Sequence, residues 1–377
     1  MQDAFARIRE LFPIREQLVY FNNGSIGAMS TRVIDAVNAF LADVRDRGRT
    51  NYPDWCRFAE HEIKADIGRL IGADRREIAF VKNTTEGLCN VANGIDWREG
   101  DNVVIADIEY PSNVYPWMNL ARRGVEIKWA PVRDRRIMVE DIAATIDSRT
   151  RVVSLSGVQF SNGFRLDLPG LCELCQRRGV LLNLDMIHWI GALELDLREL
   201  PVDFLSAGGH KWLLAPIGTG IFFVRDAVRD QLELTNVGYH TVDKSEDHLD
   251  YDLTPRPDAS RFEEALVNFP GIWGLHAAVK TMLELGMDNV QRHIFGLTDL
   301  AAEGLERRGY EIVSPRGEQE RSGNLCFAHP RHSPEQIDAR LRDAGVQAAV
   351  RPFGVRMSPS IYNDAQEVQA MLEALPG

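Results

Sequence analysis

A chain of 377 residues is longer than one ordinary hydrophobic core organises, so two units, one larger than the other, are expected. Its 45% hydrophobic and 26% charged residues are the balance of a soluble globular protein. With 43 basic against 55 acidic side chains the net charge is −12, which argues against nucleic acid or an anionic membrane surface as partner.

No apolar run approaches the ~18 residues that span a bilayer, and the N-terminus lacks the apolar core and cleavage site of a secretory signal. Five cysteines, few and odd in number, fit a reduced cytoplasmic protein. Cys172 and Cys175 form a CxxC without a second pair or a nearby histidine to complete a zinc site, and read as ordinary helix-face residues.

In chain order, residues 1–16 hold an amphipathic helix expected to pack on the smaller unit. Apolar runs then alternate with helical segments. Strands are expected at 78–81, 102–106, 125–129, 151–155, 180–184, 202–206 and 220–224, with helices at 85–92, 113–123, 139–146 and 171–178 between them. Near-continuous apolar strands separated by helices predict an α/β fold, a mostly parallel sheet covered on both faces. Residues 235–261 are irregular and polar. A long helix over 272–285, strands at 323–328 and 348–351, and helices over 334–344 and up to 375 predict an α+β unit. The large α/β domain is placed at 17–260 and the smaller C-terminal domain at 261–377.

Three features sit at strand ends. In Phe80-Val-Lys-Asn-Thr-Thr-Glu-Gly87 a strand stops and a helix begins at Thr84-Thr85. Free amides and the helix dipole attract an anion there, although threonine ahead of glutamate is also an ordinary cap. Asp185 closes an apolar strand, where ligands bind in open α/β sheets, and His188 follows three residues on. Lys211 comes 26 residues after Asp185, behind Gly208, Gly209 and His210. The glycines permit close backbone approach, and a buried amine loses its proton more easily. An anion cradle, a carboxylate and a lysine are the three requirements of pyridoxal 5′-phosphate (PLP). It needs donors for its phosphate, a partner for its pyridine nitrogen and an amine that holds its aldehyde carbon as a Schiff base.

Asn83-Thr-Thr-Glu86, Leu184-Asp-Met-Ile-His-Trp-Ile-Gly191 and Ser206-Ala-Gly-Gly-His-Lys-Trp-Leu-Leu-Ala-Pro-Ile-Gly-Thr-Gly220, in this order and spacing, resemble the class V aminotransferase family of fold-type I PLP enzymes. That group includes cysteine desulfurases and isopenicillin N epimerase, with kynureninase more distant. The resemblance implies a seven-stranded, mostly parallel sheet between helices and a homodimer with shared active sites, Arg49-Thr-Asn-Tyr52 serving the other subunit. It implies cofactor contacts from Thr84, Thr85, Tyr110, Asp185, His188, Ser206, His210 and Lys211, with Tyr110 stacking on the ring and Lys211, Asp185 and His188 taking part in catalysis. Arg356 matches the arginine that grips a substrate α-carboxylate, and Asn23, Ser25 and Gln159 match loops beside the substrate and cofactor.

The sequence departs from the family pattern in four places. His188 stands where relatives usually carry glutamine. Gly208 and Gly209 stand where desulfurases carry a serine, the nearest being Ser206. Ala265-Leu266 replaces a Gly-Thr pair that reaches the neighbouring subunit's phosphate. Residues 347–362 contain no cysteine, although desulfurases use a mobile one there. These readings lead to an enzyme acting on an α-amino acid or a derivative through an external aldimine and a Cα carbanion. Transamination, C–S lyase β-elimination and epimerisation stay open, and persulfide-forming cysteine desulfuration is excluded. Kynureninase-like C–C hydrolysis and a catalytically lapsed PLP-fold binding protein are the alternatives.

Overall fold

The chain enters through helix α1 (Gln2–Arg9) and a two-residue strand, β1 (Val19–Tyr20), in this computed structural model, which describes residues 2–244 and 249–376. Met1 and part of the irregular segment expected over 235–261 lie outside those residues. Helices α2 (Thr31–Arg47), α3 (Tyr52–Phe58) and α4 (Lys64–Ile71) follow, with one π-helical turn, Ala59–Ile63, joining the last two. Ser30 caps α2 by accepting from the Val33 amide.

The apolar runs become the larger sheet: β2 (Ile78–Val81), β3 (Asn102–Ala106), β4 (Glu126–Ala130), β5 (Thr150–Ser156), β6 (Leu181–Asp185), β7 (Phe204–Gly208) and β8 (Gly220–Val224). Their order is β2-β8-β7-β6-β5-β3-β4. Only β8 runs antiparallel to its neighbours. Every residue of β2, β3, β7 and β8 is buried, because helices cover both faces. The crossovers are made by α5 (Thr84–Gly94), α6 (Tyr115–Met118), α7 (Val139–Thr145) and α8 (Leu168–Arg178). The single helix expected over 113–123 is a one-turn α6 flanked by 3-10 turns. Pro111 and Pro116 lack amide donors and so begin turns rather than continue one, and Gly124, at φ 74°, ends the segment.

Two long helices, α9 (Phe269–Leu285) and α10 (Met287–Arg307), lead to the second unit. The buried side chains of α9 join the apolar cluster of the larger sheet and pack on α2. The smaller antiparallel sheet is built from β9 (Glu311–Ile312), β10 (Leu325–Ala328), β12 (Ala349–Arg351) and β13 (Gly354–Met357), ordered β12-β13-β10-β9. β11 (Val346–Gln347) pairs in parallel with β1 instead. Helix α11 (Pro334–Asp343) has a Ser333/Gln336 capping box, and α12 (Ala365–Ala374) an Asp364/Glu367 one. Phe21, Leu305, Phe327, Val355 and Met371 belong to a separate apolar cluster under this sheet. α1 is held by stacking of Phe5 on His293 and by an Arg9–Asp364 ion pair.

Candidate active site

A cavity of about 490 Å³ opens where β6 and β7 end, bounded by the 24–26 loop, the start of α5 and the β12–β13 hairpin. At α5 the cap is Asn83, whose Oδ1 accepts from the Glu86 amide. Capping therefore does not use the threonines. The Thr84 hydroxyl accepts from the Gly208 amide at 2.9 Å, tying α5 to the end of β7. The Thr85 hydroxyl donates to Ser112 at 2.9 Å. Both threonines and Ser112 line the cavity. The first-turn amides of a helix have no intrahelical acceptor and carry partial positive charge, so this corner suits a phosphate.

Asp185 is buried at the tip of β6, with one oxygen accepting from the Ile187 amide at 3.0 Å. Burial pushes its carboxyl upward, so a cation or N–H placed against it would be strongly held. Lys211 follows β7 and its amine is pulled down, first by burial; the Asp185 charge opposes this, while Arg356 and Arg351 add to it. Among the described residues no carboxylate forms an ion pair with it; its Nζ lies 3.1 Å from His188 Nε2 and 5.6 Å from the Tyr110 ring centroid. Tyr110 is 45% exposed and meets Phe160 edge-on at 5.1 Å. An anion cradle, a carboxylate and an amine that have no ion-pair partner among the described residues, all around one cavity, fit PLP.

Loop 22–27 closes the floor. The Gly27 amide donates to the His210 carbonyl at 2.7 Å, and a Cβ at Gly27 would stand 2.1 Å from the Lys211 carbonyl oxygen. Only glycine permits that approach. Leu214, three residues past Lys211, holds a φ of +57°, a strained value for a branched side chain in this tight loop.

Arg356 is fully buried, with Nη1 donating to the Phe160 carbonyl at 2.8 Å and Nη2 to Ser25 Oγ at 3.4 Å. Arg351, which sequence reading missed, donates to the same Ser25 oxygen at 2.7 Å. Burial, and then Arg351, lowers Arg356 to about 9, and among the described residues neither guanidinium has a carboxylate within ion-pair distance. The Pro352-Phe353 turn is the signal that could have revealed Arg351. In the hairpin Ala349 pairs with Arg356, so Arg351 lies on the same face.

Not every expected residue faces the cavity. Asn23 is buried and internal, its amide donating to the Ser358 carbonyl and its Oδ1 accepting from Tyr362. Gln159 donates to buried Glu109, which also accepts from Ser156 and Asn113 and so braces the Tyr110 loop. Ser206 is buried beneath α5, where a Cβ on Gly87 would meet its hydroxyl. It does not line the cavity, because its strand position points under the helix.

The family model described as aminotransferase class-V matches residues 19–371. The chain belongs to this family. It is a PLP-dependent enzyme of fold type I. A probable cysteine desulfurase of Methanothermobacter thermautotrophicus is 30% identical to it, over 98% of this chain and 96% of the other. A solved cysteine desulfurase of Thermococcus onnurineus NA1 superposes with a TM-score of 0.89 at 24% identity, over 98% of this chain and 96% of that one. The cystine C-S lyase C-DES, described in complex with its reaction product cysteine persulfide, superposes at 0.88 with 22% identity, over 96% and 98%. Another C-DES structure holds glycine covalently linked to its PLP cofactor.

These findings correct one expectation. The missing loop cysteine does not exclude persulfide formation, because relatives along the whole chain are named cysteine desulfurases and C-DES yields a persulfide. The flaw is chemical. A persulfide need not form on a protein thiol, because a substrate disulfide already contains the S–S bond. Among the described residues no helix is long and apolar enough to cross a bilayer.

Proposed function

We propose that this enzyme cleaves the C–S bond of cystine, releasing sulfur at the persulfide level, and that of cysteine, releasing it as sulfide, with cystine the better fit. The observation that carries the reading is the pair Arg351 and Arg356, joined through Ser25, lining the same cavity as Lys211 and without a carboxylate partner among the described residues. Two unopposed guanidiniums suit a substrate with two carboxylates. None of the residues lining the cavity is a cysteine, and Cys326, beside Arg356 in the sheet, is fully buried with its thiol pushed up to about 12. A thiol so placed is not a nucleophile, which favours a persulfide that departs on the substrate's second sulfur.

Bound PLP supplies the sink for the electron pair left at Cα. Thr84 and Thr85 would hold its phosphate and Tyr110 would lie against its ring. Asp185 would keep the proton on the pyridine nitrogen. Arg356 orients the α-carboxylate, and Lys211, its proton affinity lowered by burial and the arginines, takes the Cα proton. Loss of that proton breaks the Cβ–S bond, the sulfur leaving with its electron pair. Cystine and water then give cysteine persulfide, pyruvate and ammonia. The same reading makes the protein a homodimer, supported by exposed apolar side chains such as Leu266 (61% exposed), and places it in the cytoplasm.

Product analysis tests this. Cystine is expected to give pyruvate and alkylation-trapped cysteine persulfide in equal amounts. Release of sulfur from neither amino acid would overturn the reading, as would cofactor absorption in Lys211→Ala unchanged from the parent.

A further inference from the structure

His188 is held from three sides. Its ring is buried, with Nδ1 lying 3.3 Å from the Trp212 indole nitrogen and 3.2 Å from Asn324 Nδ2, and Nε2 3.1 Å from Lys211 Nζ. An indole N–H can only donate. Nδ1 must therefore present its lone pair, and the Asn324 atom facing it must be the amide N–H₂. Ser358 agrees, its hydroxyl donating to Asn324 Oδ1 at 2.7 Å. Trp212 cannot turn away: it is fully buried, and its ring lies so close to Gly323 that a Cβ there would stand 2.5 Å from Cη2. The clamp spans both units, since Trp212 follows Lys211 whereas Asn324 and Ser358 flank the smaller sheet.

We propose that Trp212 and Asn324 are positioning residues that lock His188 as the neutral tautomer protonated at Nε2, so that it offers the cavity one fixed donor. This rests on the functional reading above and sharpens it. A histidine with both donors on Nδ1 and its proton on Nε2 has no free lone pair for the Cα proton; its Nε2–H faces Lys211 Nζ at 3.1 Å, which must be unprotonated to accept it, the state in which Lys211 acts as the base. The surroundings also oppose an imidazolium. Lys211 and His210 face it from the loop after β7 and Arg351 and Arg356 from the smaller sheet, while Asp185 lines the same cavity from β6. Burial first, and then the charges of Lys211, Arg356 and Arg351, hold His188 well below the usual histidine range.

Nitrogen-15 NMR of the PLP-loaded protein, labelled at histidine and recorded without sulfur substrate, reads the tautomer directly. The His188 signals are assigned by their loss in His188→Gln. The expected result is a bare Nδ1 and a protonated Nε2 throughout the neutral range, with no titration where ordinary histidines titrate. Asn324→Asp keeps the shape and places an acceptor against Nδ1. It should draw a proton to that nitrogen and raise the His188 midpoint by about one pH unit or more. Trp212→Phe combined with Asn324→Leu should give mixed tautomers. A protonated Nδ1 in the parent protein would overturn the proposal, as would Asn324→Asp with an unchanged tautomer and midpoint. No outcome depends on which amino acid is cleaved, so a failed substrate assay leaves this test intact.

Discussion

Replacing Arg351 by glutamine removes one of the two guanidiniums while keeping a side chain of similar reach. Ser25 Oγ, which accepts from Arg351 at 2.7 Å and donates to Asn22 at 2.6 Å, retains Arg356 as a partner, so the loop should hold its place. A hydrogen bond between charged groups contributes roughly 1.5–3 kcal/mol net. At about 1.4 kcal/mol per tenfold, losing it should raise KM for cystine by roughly 10- to 150-fold. Cysteine has a single carboxylate, which Arg356 takes, so its KM should move by less than about threefold. Removing the cation also changes protonation. Arg351 helps depress Lys211 and Arg356, so both should hold protons to higher pH in the variant. Steady-state kinetics with the two substrates, together with NMR titration of the apoprotein's lysine amine, reads both effects. Equal KM changes for cystine and cysteine, or a Lys211 midpoint that moves down, would refute the reasoning.

Gly27→Ala should cut PLP occupancy severalfold while the chain stays folded, because the new Cβ would meet the Lys211 carbonyl, which is backbone and cannot swing aside; cofactor absorbance per chain measures it. Gly24→Ala should instead raise KM, since its Cβ meets the movable Arg356 guanidinium at 2.6 Å, and an unchanged KM would show that this head group does not bind substrate. Lys64 is buried between Glu60 and Glu263 at 3.0 and 2.9 Å, so Lys64→Met should destabilise by about 3–5 kcal/mol, and adding Glu263→Gln should restore part of it in denaturant titrations. Burial lowers His240 to about 4, so the folded ring stays neutral where the unfolded ring takes a proton. Stability should therefore be intact above about pH 6.5 and fall as pH drops toward 4, less steeply in His240→Gln.

Six of the seven apolar runs of the larger sheet were legible because each is a local pattern, buried on both faces and bounded by helices, whereas the edge strand β4 buries only Ala130. Lys211, Asp185 and the Thr84-Thr85 corner were legible for the same reason, since each ends a strand and the three keep a characteristic order. Continuous burial has a drawback. A strand that is apolar throughout gives no alternation from which to read its faces. Sequence could thus place Ser206 beside the cofactor, whereas the fold turns it under Gly87. The threonines and Asn83 could each have capped α5, and only the backbone geometry assigns that role to Asn83.

What lies across the cavity needed the tertiary structure. Arg351 and Arg356 meet Ser25 more than 320 positions away in the chain, and Asn324 reaches His188 across 136. Such contacts depend on how two separately packed sheets sit against one loop, which no local pattern encodes. The absence of a cysteine from residues 347–362 was read correctly from the sequence. The conclusion drawn from it failed because chain composition records the protein's own thiols and says nothing of the sulfur a substrate brings. The sequence by itself determined the family, its cofactor and the strands whose ends line the cavity. Side-chain facing, the second arginine and the tautomer of His188 were decided by packing between distant segments.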